Sequence, residues 1–207
     1  MIGEMGAMAR AVRRDTVLHS FERVQGEVEA RLAAVPPPMM GRPTHLPGWD
    51  VRRLAAHLVW VDLRYAAMAD HRDPPPRETE SAGDGIGGDA AALRRAGERA
   101  RLAFARPGML EEWFAAPWCG EQGGCEPGYV LVQHVVIELL THGWDLARAT
   151  GQPTDLAPEQ ARQALEVVHA WYGDPVARGG AGFAPPRPVP EGAGQADRLA
   201  AYLGRQI

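Results

Sequence analysis

Between Gln133 and Gly151 the chain reads QHVVIELLTHGWDLARATG, a run in which Val135, Val136, Ile137, Leu139, Leu140, Trp144, Leu146 and Ala147 supply apolar surface on almost every side. A helix of this kind has to be buried among other helices or under a sheet. Pro127 before it and Gly151 after it are the residues expected at a helix start and beyond a helix end. Five polar residues nevertheless interrupt the run: His134, Glu138, Thr141, His142 and Asp145. At 100° per residue all five fall within an arc of about 100°. Burying a free carboxylate costs on the order of several kcal/mol, so such a stripe needs a partner. A metal ion accepts imidazole and carboxylate alike, and Glu138 and His142, at i and i+4, can reach one ion from one face. On spacing alone, a structural hydrogen bond between the two is an equal alternative. A single histidine on an apolar helix is more often a hydrogen-bonded core residue than a ligand.

The rest of the chain also reads as helix. A first segment runs from about Ala11 to Ala34 and stops at VPPPMMGRP, which no helix can cross. A second starts at Asp50, a good N-cap, with Val51, Leu54, Ala55, Leu58, Val61, Leu63 and Met68 at helical spacing. It ends before DPPPRETESAGDGIGGD, whose composition is that of a loop. Asp89 caps a third, to about Ala105, with Pro107-Gly108 as its stop. Met109 to Pro127 reads as an extended, functional loop rich in Trp, Gly and Cys. PEQARQALEVVHAWYG opens on Pro and closes on Gly as a fifth helix, and QADRLAAYLGRQI reads as a short terminal one. Nothing indicates a sheet of any size. Four long helices with shorter additions imply an all-α helical bundle, in which metal sites are built from facing helices.

The whole chain, 1–207, fits one domain of ordinary globular composition. Its net charge of -4 and lack of a basic block give no nucleic-acid signature. No run approaches the roughly 18 apolar residues of a membrane span, and MIGEMGAMARAVRR lacks a signal peptide's apolar core. The expected location is cytoplasmic, so Cys119 and Cys125 are read as thiols, incidental to function, rather than a disulfide.

A shared metal needs a third ligand. His57 is the best candidate, because RLAAHLVW sets it mid-helix among apolar residues. His45 lies in a loop, His71 at a frayed end, and His19 and His169 in less apolar helices. Two histidines and one glutamate leave coordination positions open, the pattern of a catalytic site.

THLPGWDVRRLAAHL followed by ELLTHGWDLARATGQ resembles the DinB-like superfamily. The closer resemblance is to its actinobacterial branch, typified by the N-terminal domain of mycothiol-dependent maleylpyruvate isomerase. The ending RLAAYLGRQI is similar to that of short, stand-alone members. The resemblance implies a four-helix metal-binding bundle in which a histidine of the second helix joins a glutamate and a histidine one turn apart. Those positions match His57, Glu138 and His142. His134 falls outside that triad, as a pocket residue or a neighbour of the ligands. The isomerase carries a further C-terminal domain for which 207 residues leave no room, so the resemblance carries over thiol-dependent chemistry rather than maleylpyruvate itself.

The resulting expectation is a zinc-type enzyme, with Ni2+, Mn2+ or Fe2+ as other candidate ions. The ion would lower the pKa of a low-molecular-weight thiol, mycothiol by analogy, for attack on a small electrophile. The outcome would be S-transfer or isomerisation. His134 and Asp145 are the candidate catalytic residues, orienting ligands or moving protons; for Asp145 a structural pairing with Arg148 competes with that role. A homodimer is compatible with this reading, which sets no oligomeric state. The alternatives are thiol-independent hydrolysis or rearrangement through metal-bound water, a non-haem iron oxygenase, and a metal-binding protein without catalysis.

Overall fold

The computed structural model describes residues 12–76, 89–115, 126–173 and 184–207. Cys119 and Cys125 lie outside these residues. The chain forms helices α1 (Val17–Ala33), α2 (Val51–Ala69), α3 (Ala90–Phe104), α4 (Gly128–Thr150), α5 (Pro158–Tyr172) and α6 (Gln195–Tyr202). Two short strands, β1 (Trp113–Phe114) and β2 (Glu126–Pro127), pair antiparallel between α3 and α4. None of the described helices is long and apolar enough to cross a membrane.

The caps explain where the helices start. The Asp50 carboxylate accepts the Arg53 N–H at 2.8 Å, and Asp89 accepts that of Ala92 at 2.6 Å. Gly151, at φ 71°, ends α4 in the left-handed conformation, and the Gln152 N–H returns to the Ala147 carbonyl at 2.9 Å. Two boundaries differ from the sequence expectation. Helix α1 begins at Val17 rather than near Ala11, because Arg14–Thr16 wind into a tighter 3-10 turn. Pro127 is the N-cap of α4, in extended conformation, rather than part of its first turn. The first helical residue is then Gly128, where a Cβ would fall 2.0 Å from the Met109 carbonyl oxygen.

The four long helices form a square. Each of α1 and α2 packs against both α3 and α4, which places α1 diagonally opposite α2. Helix α4 is buried as its apolar run requires: Leu131, Leu139, Leu140, Trp144 and Leu146 are at most 1% exposed, with Phe21 and Leu54 among their partners in the core. Helices α5 and α6 pack on each other and on α4. The α2–α4 contact is the one that matters for the site, because it brings His57 to the polar stripe.

Candidate metal centre

The stripe of α4 divides among three neighbours. His134, at its N-terminal end, packs its ring on Trp171 of α5, with centroids 4.4 Å apart. Thr141 returns its hydroxyl to the Ile137 carbonyl at 2.7 Å and is satisfied within the helix. Glu138 and His142 turn toward α2, where His57 stands mid-helix. The Glu138 Oε2 lies 3.3 Å from His142 Nε2 and 3.9 Å from His57 Nε2. One donor atom from each of the three residues falls within 4.8 Å of the others.

That set fits a divalent ion. Tetrahedral zinc with bonds of roughly 2.0–2.2 Å holds neighbouring donors about 3.3–3.6 Å apart. One of the two measured separations already lies in that range, and the other needs a few tenths of an ångström of closure. The rings have little freedom to leave it. Trp49 stacks over His142 at 6.3 Å between centroids and meets His57 edge-on at 5.0 Å. Trp60 also stacks on His57, at 5.9 Å, and its indole N–H is fixed on the Pro75 carbonyl at 3.0 Å. The histidines are largely buried, whereas the Glu138 side chain is 39% exposed, so the centre opens to solvent on the carboxylate side.

Charge distribution follows from this packing. Burial alone would raise Glu138, but hydrogen bonds and charge from His142 and His57 hold its carboxyl far below the ordinary range. Burial likewise opposes the His142 imidazolium, yet Asp145 on one ring nitrogen and Glu138 on the other push its pKa up to about 9. Without a metal, a proton on His142 thus supplies the positive charge that Glu138 demands. His134 behaves in the opposite way: burial, assisted by the charge of Arg64, brings it down to about 4, so it is neutral at physiological pH.

Asp145 is fully buried and is not paired with Arg148, whose guanidinium lies over the Trp144 ring instead. Its Oδ2 lies 2.9 Å from His142 Nδ1, and its Oδ1 accepts from His45 Nε2 at 3.1 Å. Arg205, from the segment after α6, reaches both oxygens, with Nε 3.3 Å from Oδ1 and Nη2 3.1 Å from Oδ2. Neither His45, which the sequence sets in a loop, nor Arg205 is among the site residues expected from the sequence. His45 is placed by a tight turn, in which Pro47 precedes Gly48 at φ 75° and Trp49 N–H bonds the Leu46 carbonyl at 3.0 Å. The HGWD segment therefore has four separate duties. His142 faces Glu138. Gly143 lets α4 approach α1, since a Cβ there would meet Val28 at 2.8 Å. Trp144 donates its indole N–H to Asp197 of α6 at 2.7 Å. Asp145 holds the opposite nitrogen of His142.

Comparison with known proteins bears on the same region. Residues 21–147, which include His57, Glu138 and His142, match the sequence family described as the mycothiol maleylpyruvate isomerase N-terminal domain. An uncharacterized Mycobacterium tuberculosis protein, present in two strains, is 35% identical over 190 residues, spanning 92% of this chain and 98% of its own length. The crystal structure of the mycothiol-dependent maleylpyruvate isomerase superposes with a TM-score of 0.54 at 18% identity, covering 74% of this chain and 68% of that one. A histidine-to-alanine variant of that enzyme gives 0.56 at 17% identity over the same shares. At such identities the structures speak for the helical fold, and the family match, over more than half the chain, speaks for descent: this protein belongs to the mycothiol maleylpyruvate isomerase N-terminal domain family.

Proposed function

We propose that the protein is a metal-dependent enzyme that uses a low-molecular-weight thiol, mycothiol in keeping with its family, to attack a small electrophilic carbon. The products would be an S-conjugate or, after the sulfur leaves again, an isomer. The observation that carries this reading is the convergence of His57 with Glu138 and His142 from two helices, in a member of this family.

His57, Glu138 and His142 are the residues that would hold the ion. A bound divalent cation acts as a Lewis acid and lowers the pKa of a thiol or water bound to it. The protein's own contribution is orientation. Trp49 and Trp60 fix the planes of the two imidazoles, and the buried His142 keeps one nitrogen on Asp145, leaving Nε2 for the centre. The open side at Glu138 admits the thiol and the electrophile. His134 lies one turn from Glu138 on the same face, neutral, and suits a hydrogen-bonding role toward a substrate better than that of a base, because a group titrating near 4 takes a thiol proton poorly. Asp145, with no exposure and three partners, acts through His142 and does not touch substrate. With a cis-enone the sulfur–carbon bond would form as the C=C π bond opens, its electron pair moving onto the carbonyl oxygen as an enolate while the thiol proton passes to solvent. With an epoxide or alkyl halide the C–O or C–halogen bond would break, the oxygen taking up a proton or the halide leaving to solvent. In an isomerisation the sulfur–carbon bond breaks after rotation, returning the thiol.

The test is turnover. Protein loaded with zinc, nickel, manganese or iron(II) is incubated with mycothiol and a panel of electrophiles: maleyl-type cis-enones, epoxides and alkyl halides. A product that needs both metal and mycothiol is the expected result, with thiol consumed where the product is an S-conjugate and conserved where it is an isomer. Turnover that proceeds equally without thiol would replace this reading by hydrolysis or rearrangement.

A further inference from the structure

Asp145 is anchored more heavily than an orienting carboxylate requires. It has four contacts on two oxygens, one from the candidate ligand His142, one from His45 and two from Arg205. Arg205 spans both oxygens with its planar fork, and such a bidentate grip fixes the plane of a carboxylate as well as its charge. Without that fork only His45, on Oδ1, would hold the carboxylate against rotation that carries the His142 nitrogen on Oδ2 with it.

Arg205 is itself built into place. Its side chain is 12% exposed, its Nη1 donates to the Leu203 carbonyl at 3.1 Å, and its backbone N–H bonds the Ala200 carbonyl at 2.9 Å. Gly204 turns the chain back at φ 90°, and a Cβ there would come within 2.6 Å of Ala184. The turn that aims Arg205 at Asp145 thus has no room for another side chain. Arg205 also lies beyond residues 21–147, outside the span that matches the family.

Resting on the reading of His57, Glu138 and His142 as metal ligands, we propose that Arg205 is a positioning residue of that centre: by clamping Asp145 it fixes the His142 ring so that Nε2 faces Glu138 and His57. Charge and geometry make opposite demands here. A guanidinium this close to a cation site repels the cation, so if Arg205 acted by charge alone, removing it would tighten metal binding. If it acts by holding Asp145 and His142 in register, removing it loosens binding.

The experiment measures zinc affinity by competition with a chelator, and the visible spectrum of the cobalt-loaded protein, for wild type, Arg205→Ala and Arg205→Lys. Helical circular dichroism and melting temperature serve as controls. Arg205→Ala is expected to lose about 10–100-fold in affinity. Arg205→Lys, which keeps the charge without the fork, should fall between the two. At saturating cobalt both variants should show ligand-field bands shifted from wild type, a change that a purely structural role would not produce. If the alanine variant does not fold, the lysine variant alone decides. Variants that bind zinc as tightly as wild type or more tightly, with unchanged cobalt spectra, would overturn the role of Arg205 and leave the metal centre standing. A folded wild type that binds no metal would overturn the centre and this role with it.

Discussion

His57 of α2 and Glu138 of α4 face each other across the bundle with Nε2 and Oε2 3.9 Å apart, and His142 closes the third corner on the same carboxylate oxygen at 3.3 Å. If the three hold the proposed ion, removing any corner leaves two protein ligands, too few to retain it at micromolar concentration. His57→Ala, Glu138→Ala and His142→Ala are therefore each expected to lose the metal on dialysis, as read by elemental analysis. His134→Ala should retain it, because its ring contacts Trp171 rather than the three donors. Wild-type protein that stays metal-free after dialysis against zinc, nickel, manganese and iron(II) would leave the triad as a hydrogen-bond network.

Proton competition sets the pH dependence of metal binding. An unperturbed imidazole stops competing above about pH 6.5. His142, clasped between Asp145 and Glu138, keeps its second proton up to about 9. The apparent zinc affinity should then keep rising between pH 6.5 and 9, by about a factor of ten per unit, as one proton is displaced per ion bound. The metal-free protein should show the complementary trend in stability. A raised folded-state pKa contributes stability that is complete below the unfolded value near 6.5 and lost as pH climbs toward 9. Glu138 and Asp145, with lowered pKa values, contribute stability that is lost in acid. His134, brought down to about 4, contributes stability that is likewise lost as pH falls below about 6.5, so melting of metal-free protein should peak near pH 6.5. A zinc affinity that is flat above pH 6.5 would show that His142 is not so clasped.

Much of this architecture could be read from the sequence, because the signals are local. Asp50 and Asp89 cap the helices they were expected to cap, and Gly151 ends α4 in the left-handed conformation. The arc holding Glu138 and His142 follows from helical geometry alone. The grouping of His57 with them needed either the family pattern or the fold, since periodicity does not say which helices face each other. Asp145 shows the limit most clearly. Its i+3 neighbour Arg148 is the obvious local partner, yet Arg148 covers Trp144 while His45 and Arg205 come from 100 and 60 residues away. Backbone reversals at Gly48 and Gly204 bring those two side chains in. A glycine three residues after His45 and another immediately before Arg205 are the available signal, and they carry meaning only once the helices are packed.

Gly143 sits where α4 approaches α1 and the segment leading to α5. A Cβ would fall 2.8 Å from both Val28 and Leu156, and both side chains are fully buried. Neither can move without disturbing the core, and overpacking of this kind costs about 1–3 kcal/mol. For a chain of this size, Gly143→Ala should lower the melting temperature by roughly 2–12 °C, at about 2–4 °C per kcal/mol. The same push would displace α4 beside His142, so metal affinity should fall as well. An alanine variant that melts with wild type would show that the two helices have slack at this point.

Asp62 offers a test of the fold that is independent of the metal. It lies on α2, fully buried, and neither carboxyl oxygen has a hydrogen bond of ordinary length among the described residues. Burial raises its pKa well above 3.8; the neighbouring Gln25 carboxamide offsets part of that, and the charge of Glu29 adds to it. The folded protein therefore binds a proton here that the unfolded chain releases near pH 3.9. Stability attributable to Asp62 is complete below that value and declines as pH rises toward the folded-state pKa, the reverse of an ion-paired aspartate. Asp62→Asn keeps the shape and cannot ionise. It should melt close to wild type at pH 4 and several degrees higher at pH 8. If the gap between the two proteins does not widen from pH 4 to pH 8, Asp62 titrates as an ordinary solvated carboxyl and burial does not govern its ionisation.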